Sequence, residues 1–191
     1  MKLKIAILSF IVISLLSTGC FGNNTGEANK LINKANLASK HYVAIENNEI
    51  APLALKIQKT EGTKSGAKIS LGYVKKILEK NNDQFELLSE AKSEIARISG
   101  FRVSEELKKY AQYTLDALDA DIETLRISRN LYLELQNLYG LIAKNTLEQK
   151  KFEKISQNVE NLSRQAEVAD KKQKKLDAKK DAYYKKALAQ D

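Results

Sequence analysis

The sequence predicts an all-α fold, organised as an elongated antiparallel up-down four-helix bundle with coiled-coil-like packing. Three observations carry that expectation. Pro52 is the only proline in 191 residues, and a chain so poor in breakers favours long, uninterrupted helices. Apolar residues recur at three- and four-residue steps, and the strict alternation of a half-buried strand is absent. A composition of 43% apolar and 29% charged residues suits a packed domain rather than a disordered tail. The alternative architecture is a three-helix, spectrin-like bundle with the first segment set apart.

A first helix is expected over about residues 27–59. Leu31, Ala35, Ala38, Tyr42 and Ile45 share one face, a thin stripe because two of its members are alanines. Pro52 either begins a second short helix or kinks this one; Leu53, Leu55 and Ile57 beyond it favour the kink. The run from Thr60 to Gly66 reads as a turn. A second helix, about 67–98, should bury Val74, Ile77, Leu78, Phe85, Leu88, Ala91, Ile95 and Ile98, and stop at Ser99-Gly100.

Ser104 reads as the N-cap of a third helix, about 105–143, with Glu105 and Glu106 complementing its dipole. Its stripe runs through Leu107, Ala111, Leu118, Ile122, Leu125, Tyr132, Leu135, Tyr139 and Ile142. Asp121, Ser128 and Arg129 interrupt it near the middle. Gly140 and Asn145 mark the next turn, and Thr146 with Gln149 matches a capping box. The fourth helix, about 147–190, carries the cleanest periodicity. Phe152, Ile155, Val159, Leu162, Ala166, Ala169, Gln173, Leu176, Lys180, Tyr183 and Ala187 repeat with strict 3-4 spacing, as in a coiled-coil seam. At 1.5 Å per residue it would extend about 66 Å.

The N-terminus carries a different kind of information. Met1 to Lys4 is basic, Ile5 to Leu16 is apolar apart from Ser9 and Ser14, and Ser17-Thr18-Gly19 leads to Cys20, the only cysteine. That order describes a secretory signal. A spanning helix needs roughly 20 apolar residues, so this shorter run fits a signal over residues 1–19 better than an uncleaved anchor. Residues 20–26 read as a short tether and 27–191 as the bundle. With one cysteine no intramolecular disulfide can form, so the exported domain must be held by packing.

Ending on Cys20, the segment resembles the lipobox of prokaryotic membrane lipoproteins, with Ser17 standing where that class usually has leucine. The resemblance implies an acylated thiol (palmitate or a similar chain), Cys20 as the mature N-terminus, and a place on the extracytoplasmic face of the cell membrane. One acyl chain alone binds a bilayer marginally, so stable anchoring calls for a second chain or help from basic residues.

The formal charge of +8 is concentrated at the other end of the chain. Lys2 and Lys4 would leave with the signal. Lys171, Lys172, Lys174, Lys175, Lys179, Lys180, Lys185 and Lys186 face only Asp177 and Asp181, and the rest of the mature chain is neutral. In a four-helix up-down bundle this basic end returns to where the chain began, beside Cys20 and the membrane. In a three-helix packing it points away, toward wall or surface polymers. Anionic lipid and anionic surface polymer are therefore the expected partners, together with a protein partner or second copy along the fourth helix. The bland reading is a lysine-rich helix end that complements its own dipole. An export signal excludes nucleic acid.

Catalytic chemistry finds no support. His41 is the only histidine, with no carboxylate at i−3 or i−4, and no Glu-x-x-His pair exists for a di-iron bundle. Cysteine and histidine are too few for zinc, and there is no Gly-rich phosphate loop or serine elbow. No catalytic residue, metal ligand or cofactor is expected. Asp116, Asp119 and Glu123 align on one helix face and read as solvated. The Asp121-Ser128-Arg129 interruption reads as a layer that sets helix register or holds a small ligand. Tyr42, Tyr132, Tyr139 and Tyr183 fall on the stripes, leaving Tyr73, Tyr110, Tyr113 and Tyr184 as surface aromatics.

In layout, and most from Glu105 to Asp191 where the helices mix Glu, Lys and Tyr, the chain resembles cell-wall-binding helical lipoproteins of Gram-positive bacteria. The start Gly19-Cys20-Phe21-Gly22-Asn23-Asn24-Thr25 is also similar to archaeal surface lipoproteins. The expected function is a non-enzymatic, lipid-anchored helical tether or interaction module of the envelope, with its lysine-rich end on membrane or anionic polymer. The alternative is an extracytoplasmic sensory or solute-binding bundle.

Overall fold

The computed structural model describes residues 24–60 and 62–188, with side chains as far as Tyr183. Cys20, the expected signal and the side chains of Tyr184, Lys185, Lys186 and Ala187 lie outside the described residues. Within them every element is helical: α1 (Thr25–Ile45), a π-helical turn (Glu46–Ile50), α2 (Ala51–Gln58), α3 (Lys64–Ala96), a 3-10 turn (Arg97–Gly100), α4 (Glu105–Lys144) and α5 (Gln149–Leu188). Four helical limbs pack against each other: α1–α2 on α3, α3 on α4, and α4 on α5. Among the described residues no Cα of α5 comes within 8 Å of one in α1, α2 or α3. No helix there is long and apolar enough to cross a membrane.

The first limb runs without a break from Thr25 through Gln58, and Pro52 explains its local form. Proline has no N–H to donate, and its ring crowds the carbonyl four residues back, here Asn48. The backbone widens to a π turn over Glu46–Ile50, just before the proline, instead of breaking. The extra residue shifts the buried stripe. Ala28, Leu31, Ala35 and Ala38 lead to Tyr42, after which the same spacing would bring Glu49 inward. Ile50 and Ile57 are buried instead, one residue out of step.

Each turn has a local cause. Thr63 caps α3 by accepting the Gly66 N–H at 3.1 Å, so the helix begins three residues before the expected start. Ser104 accepts the Leu107 N–H at 3.2 Å, with Glu105 and Glu106 in the first turn of α4. Asn145 ends α4 in the left-handed region at φ 58°, where the Thr146 N–H reaches the Leu141 carbonyl at 3.0 Å. Gly140 lies inside α4, not in the turn. The expected capping box does not form. The Thr146 hydroxyl donates back to the Leu141 carbonyl, and Gln149 donates to Glu153.

Two apolar clusters fill the space between the first three limbs. One joins Ala28, Leu31, Ile32, Ala35 and Ala38 of α1 to Leu88, Ala91 and Ile95 of α3 and to Tyr110, Ala111, Leu118 and Leu125 of α4. The alanines expected to make a thin stripe are fully used, because small side chains let the helices approach closely. The second cluster gathers Ile50, Ile57, Val74, Ile77 and Tyr132. α5 contributes to neither. Its side chains bury only Ile155 and Gln173 among those described, while Val159, Leu162, Ala166, Ala169 and Leu176 are half-buried and Phe152 is 48% exposed. The seam faces α4 but stays open along its flank, since among the described residues no third helix comes near enough to close it.

Candidate functional site

The lysine-rich half of α5 lies along the first half of α4. The rings of Tyr113 (α4) and Tyr183 (α5) stack with centroids 4.8 Å apart and planes 21° from parallel. The hydrogen bond and charge of Tyr183 raise the Tyr113 pKa above the ordinary phenol value. The Lys109 ammonium sits 6.0 Å from the Tyr183 ring, and the Lys179 ammonium 6.0 Å from the Tyr113 ring. Contacts of that length over a ring face are weakly attractive and leave the charge in place. Close by in the chain, the Arg102 N–H donates to the Asn24 side-chain carbonyl at 3.4 Å, so the first described residue lies beside the segment that leads into α4.

The structure separates the basic-patch lysines into two kinds. Lys174 pairs with Asp170, and Lys180, held half-buried, pairs with Asp177 at 2.9 Å. Lys171, Lys172, Lys175 and Lys179 are exposed, and none of these four meets a carboxylate among the described residues. Val168, Lys172, Lys175 and Lys179 follow one another at 4-3-4 spacing and share a face of α5.

A second constellation lies between the two apolar clusters, at the π turn. Gln84 is fully buried and donates to the Tyr42 carbonyl at 3.4 Å and to the Glu46 carboxylate at 3.1 Å. Asn81, also buried, donates to Gln84 at 3.0 Å, and its own Oδ1 accepts no hydrogen bond. Burial lifts the Glu46 carboxyl above its usual range, and the Gln84 bond draws it partly back. Across the bundle Asp121 accepts a hydrogen bond from Gln173 of α5. Burial, then the charge of Asp177, pushes Asp121 up to about 7, with Lys180 opposing. Tyr42 is driven well above the ordinary phenol value by burial, then by Asp121 and Glu46. Tyr132 rises to about 12, first through burial and then through Glu46.

Of the three residues expected to interrupt the third stripe, only Asp121 enters this layer; Ser128 and Arg129 stay partly exposed. Glu46, Asn81 and Gln84 were not among the expected site residues. Asn81 and Gln84 nonetheless fall on the 3-4 spacing of the α3 stripe, between Ile77 and Leu88, and that is the sequence signal that marks them. Asp119 pairs with Lys92, Asp116 accepts from Gln112, and Glu123 pairs with Arg126 at 3.7 Å, as a solvated acidic face does. Among the described residues no group of three or more His, Cys, Asp or Glu side chains is placed to hold a metal ion.

The chain matches no known protein-family model, no curated protein and no solved structure.

Proposed function

We propose that the chain is a non-enzymatic lipoprotein of the cell envelope, anchored on the extracytoplasmic face through acylated Cys20. Its antiparallel up-down helices serve as a tether or interaction module, and its lysine-rich helix end rests on the membrane or an anionic surface polymer. The antiparallel order is supported by pairs whose numbers rise on one helix as they fall on the next. Lys34 meets Glu94 while Glu49 meets Lys80; Glu134 meets Asn158, Asp121 meets Gln173, and Tyr113 meets Tyr183.

The observation that carries the function is the meeting of chain start and basic helix at one end. Asn24 bonds to Arg102, just before α4, and Tyr183 stacks on Tyr113 early in that helix. Four residues separate Asn24 from Cys20, a reach of no more than about 14 Å even when fully extended. A lipid on Cys20 would therefore hold this end at the bilayer, where each nearby lysine contributes about 1 kcal/mol toward an anionic surface. Intact mass of the membrane-extracted protein is the test. An N-terminus at Cys20 with added acyl mass is expected; an intact Met1 would overturn the anchor. Replacing Lys171, Lys172, Lys174 and Lys175 by alanine should weaken binding to anionic vesicles or wall material, and unchanged binding would remove the basic end from the proposal.

A second reading, a sensory or solute-binding bundle, is favoured by the buried layer in which Asn81 Oδ1 has no donor and Asp121 faces Gln173. Buried acceptors without donors are rare and costly. A small solute that raises the melting temperature, with the rise lost on Asp121→Ala, would support it; a rise that survives that substitution would move the ligand elsewhere.

A further inference from the structure

Among the described residues of the α4–α5 pair, exposed lysines that meet no carboxylate line up along one side of α5. Lys172, Lys175 and Lys179 are exposed on one face of α5, headed by Val168, which is 69% exposed. Across from them, Lys109 of α4 reaches over Tyr183, while Lys179 of α5 reaches over Tyr113. Each ammonium thus covers a ring of the opposite helix and straddles the stacked pair. Neither Lys109 nor Lys179 meets a carboxylate among the described residues, whereas the inward Lys180 is neutralised by Asp177.

This combination fits a bilayer interface better than open water. A tyrosine offers an apolar body with a polar tip, and a lysine stem can lie on apolar surface while its ammonium reaches a phosphate. The strip from Val168 to Lys179 extends about 17 Å along α5, and Tyr113 stands about 14 Å up α4 from its Ser104 cap. A tether from Cys20 to Asn24 shorter than about 14 Å cannot lift the bundle clear of the surface. A strip of that length meets the bilayer only when the side of the bundle, not its end, is turned to it.

We propose that the face made by Lys109, Tyr113, Lys172, Lys175, Lys179 and Tyr183 is a docking surface for an anionic lipid bilayer. The bundle then lies on its side against the membrane. This rests on the reading of Cys20 as the anchor for the tether's length, but the face has a readout of its own.

The chain contains no tryptophan, so a single introduced indole reports its own surroundings. The full chain, extracted from membranes, would carry Tyr183→Trp, Tyr113→Trp or, as the far-end control, Phe152→Trp, with helicity checked for each. It would be reconstituted into vesicles of brominated lipid, with or without anionic headgroups, and its intact mass read separately. Quenching is expected at positions 183 and 113 in anionic vesicles and not at position 152. Each such lysine shifts the balance onto an anionic surface about fivefold, so adding Lys109→Ala with Lys179→Ala should lower the face-down population about thirtyfold.

Acyl mass with equal, weak quenching at all three positions would overturn the side-on face while leaving the anchor intact. No acyl mass, with quenching at 183 and 113 retained in anionic vesicles, would support the face and remove the anchor. Loss of both would overturn both. Quenching that is the same in zwitterionic vesicles overturns the role of the lysines. An emission shift with soluble polyphosphate and none with anionic vesicles overturns the lipid assignment in favour of a surface polymer.

Discussion

Gln173 of α5 donates its side-chain amide N–H to the carboxylate of Asp121 on α4, and both side chains are less than a tenth exposed. This is the deepest polar link between the outer helix and the rest of the bundle among the described residues. Elsewhere α5 is held by buried Ile155, by half-buried apolar side chains, by the Asn158–Glu134 hydrogen bond and by the Tyr113–Tyr183 stack. The charge state of the Asp121 carboxyl therefore bears on the strength of this one link.

Burial holds the folded-state pKa of Asp121 at about 7, against an ordinary value of 3.8. A pKa raised in the folded state means that the protonated form favours folding. Its stabilising contribution is complete below the unfolded value and is lost as pH rises through about 7. Asp121→Asn keeps the shape and removes the titration. The variant should flatten the fall in melting temperature between pH 5 and 8 and equal or exceed the parent at pH 8. Parallel melting curves for the two chains across that range would refute it.

Gln84 and Asn81 should respond to different degrees. Gln84→Leu removes the side-chain donor of the half-buried Glu46 carboxylate and one of the two donors to the Tyr42 carbonyl, at a cost of about 2–3 kcal/mol. Asn81→Leu removes an acceptor that has no donor and should cost far less, though it also frees the Gln84 carbonyl. Urea titrations distinguish the two, and equal losses would show that the layer is held by shape alone.

Apolar side chains should be sensitive within the clusters of the first three limbs and tolerant where α5 exposes them. Leu88→Ala leaves a cavity between α1, α3 and α4 and should cost about 2–5 kcal/mol. Phe152→Ala and Val168→Ala alter exposed side chains and should stay within about 0.5 kcal/mol. A large loss at Val168 would mean that its face is already covered in solution.

The π turn predicts which deletion the first limb survives. Removing Asn48 lets the turn close to an ordinary α-helix with Ile50 and Ile57 still facing inward, at a cost of about 3 kcal/mol from Pro52 inside that helix. Removing Asn36 rotates the stretch before it by about 100° relative to Tyr42 and separates Leu31 and Ala35 from their neighbours. Circular dichroism melts should show a cooperative transition for the first chain only.

Much of this architecture is legible where one residue has one local job. Ser104 was readable as a cap because a hydroxyl before two glutamates has few other uses, and Leu107 supplies the expected N–H. Val74, Ile77, Leu88, Ala91, Ile95 and Ile98 were readable because their three- and four-residue steps keep one register on both sides of the polar Asn81–Gln84 step. Thr146 misled, since its hydroxyl serves the helix it leaves rather than the one it precedes. The buried layer was only partly legible. Asp121 stood out as a break in a stripe, but Glu46 lies in a polar run, Glu-Asn-Asn-Glu, that looks like surface until the π turn brings its first member against Gln84. The open flank of α5 was not legible, because a regular seam shows what a helix can cover and not how many neighbours reach it.

The one-residue slip at Glu46–Ile50 also bears on how this chain should be lined up with any other. Each half of the first limb keeps its own unbroken repeat, and the two repeats differ by a single letter. An alignment scored on letters alone would open a gap at Asn47–Asn48 against a chain with a plain helix. The backbone there is continuous. The gap would mark one swollen helical turn, with equivalent positions resuming immediately on both sides.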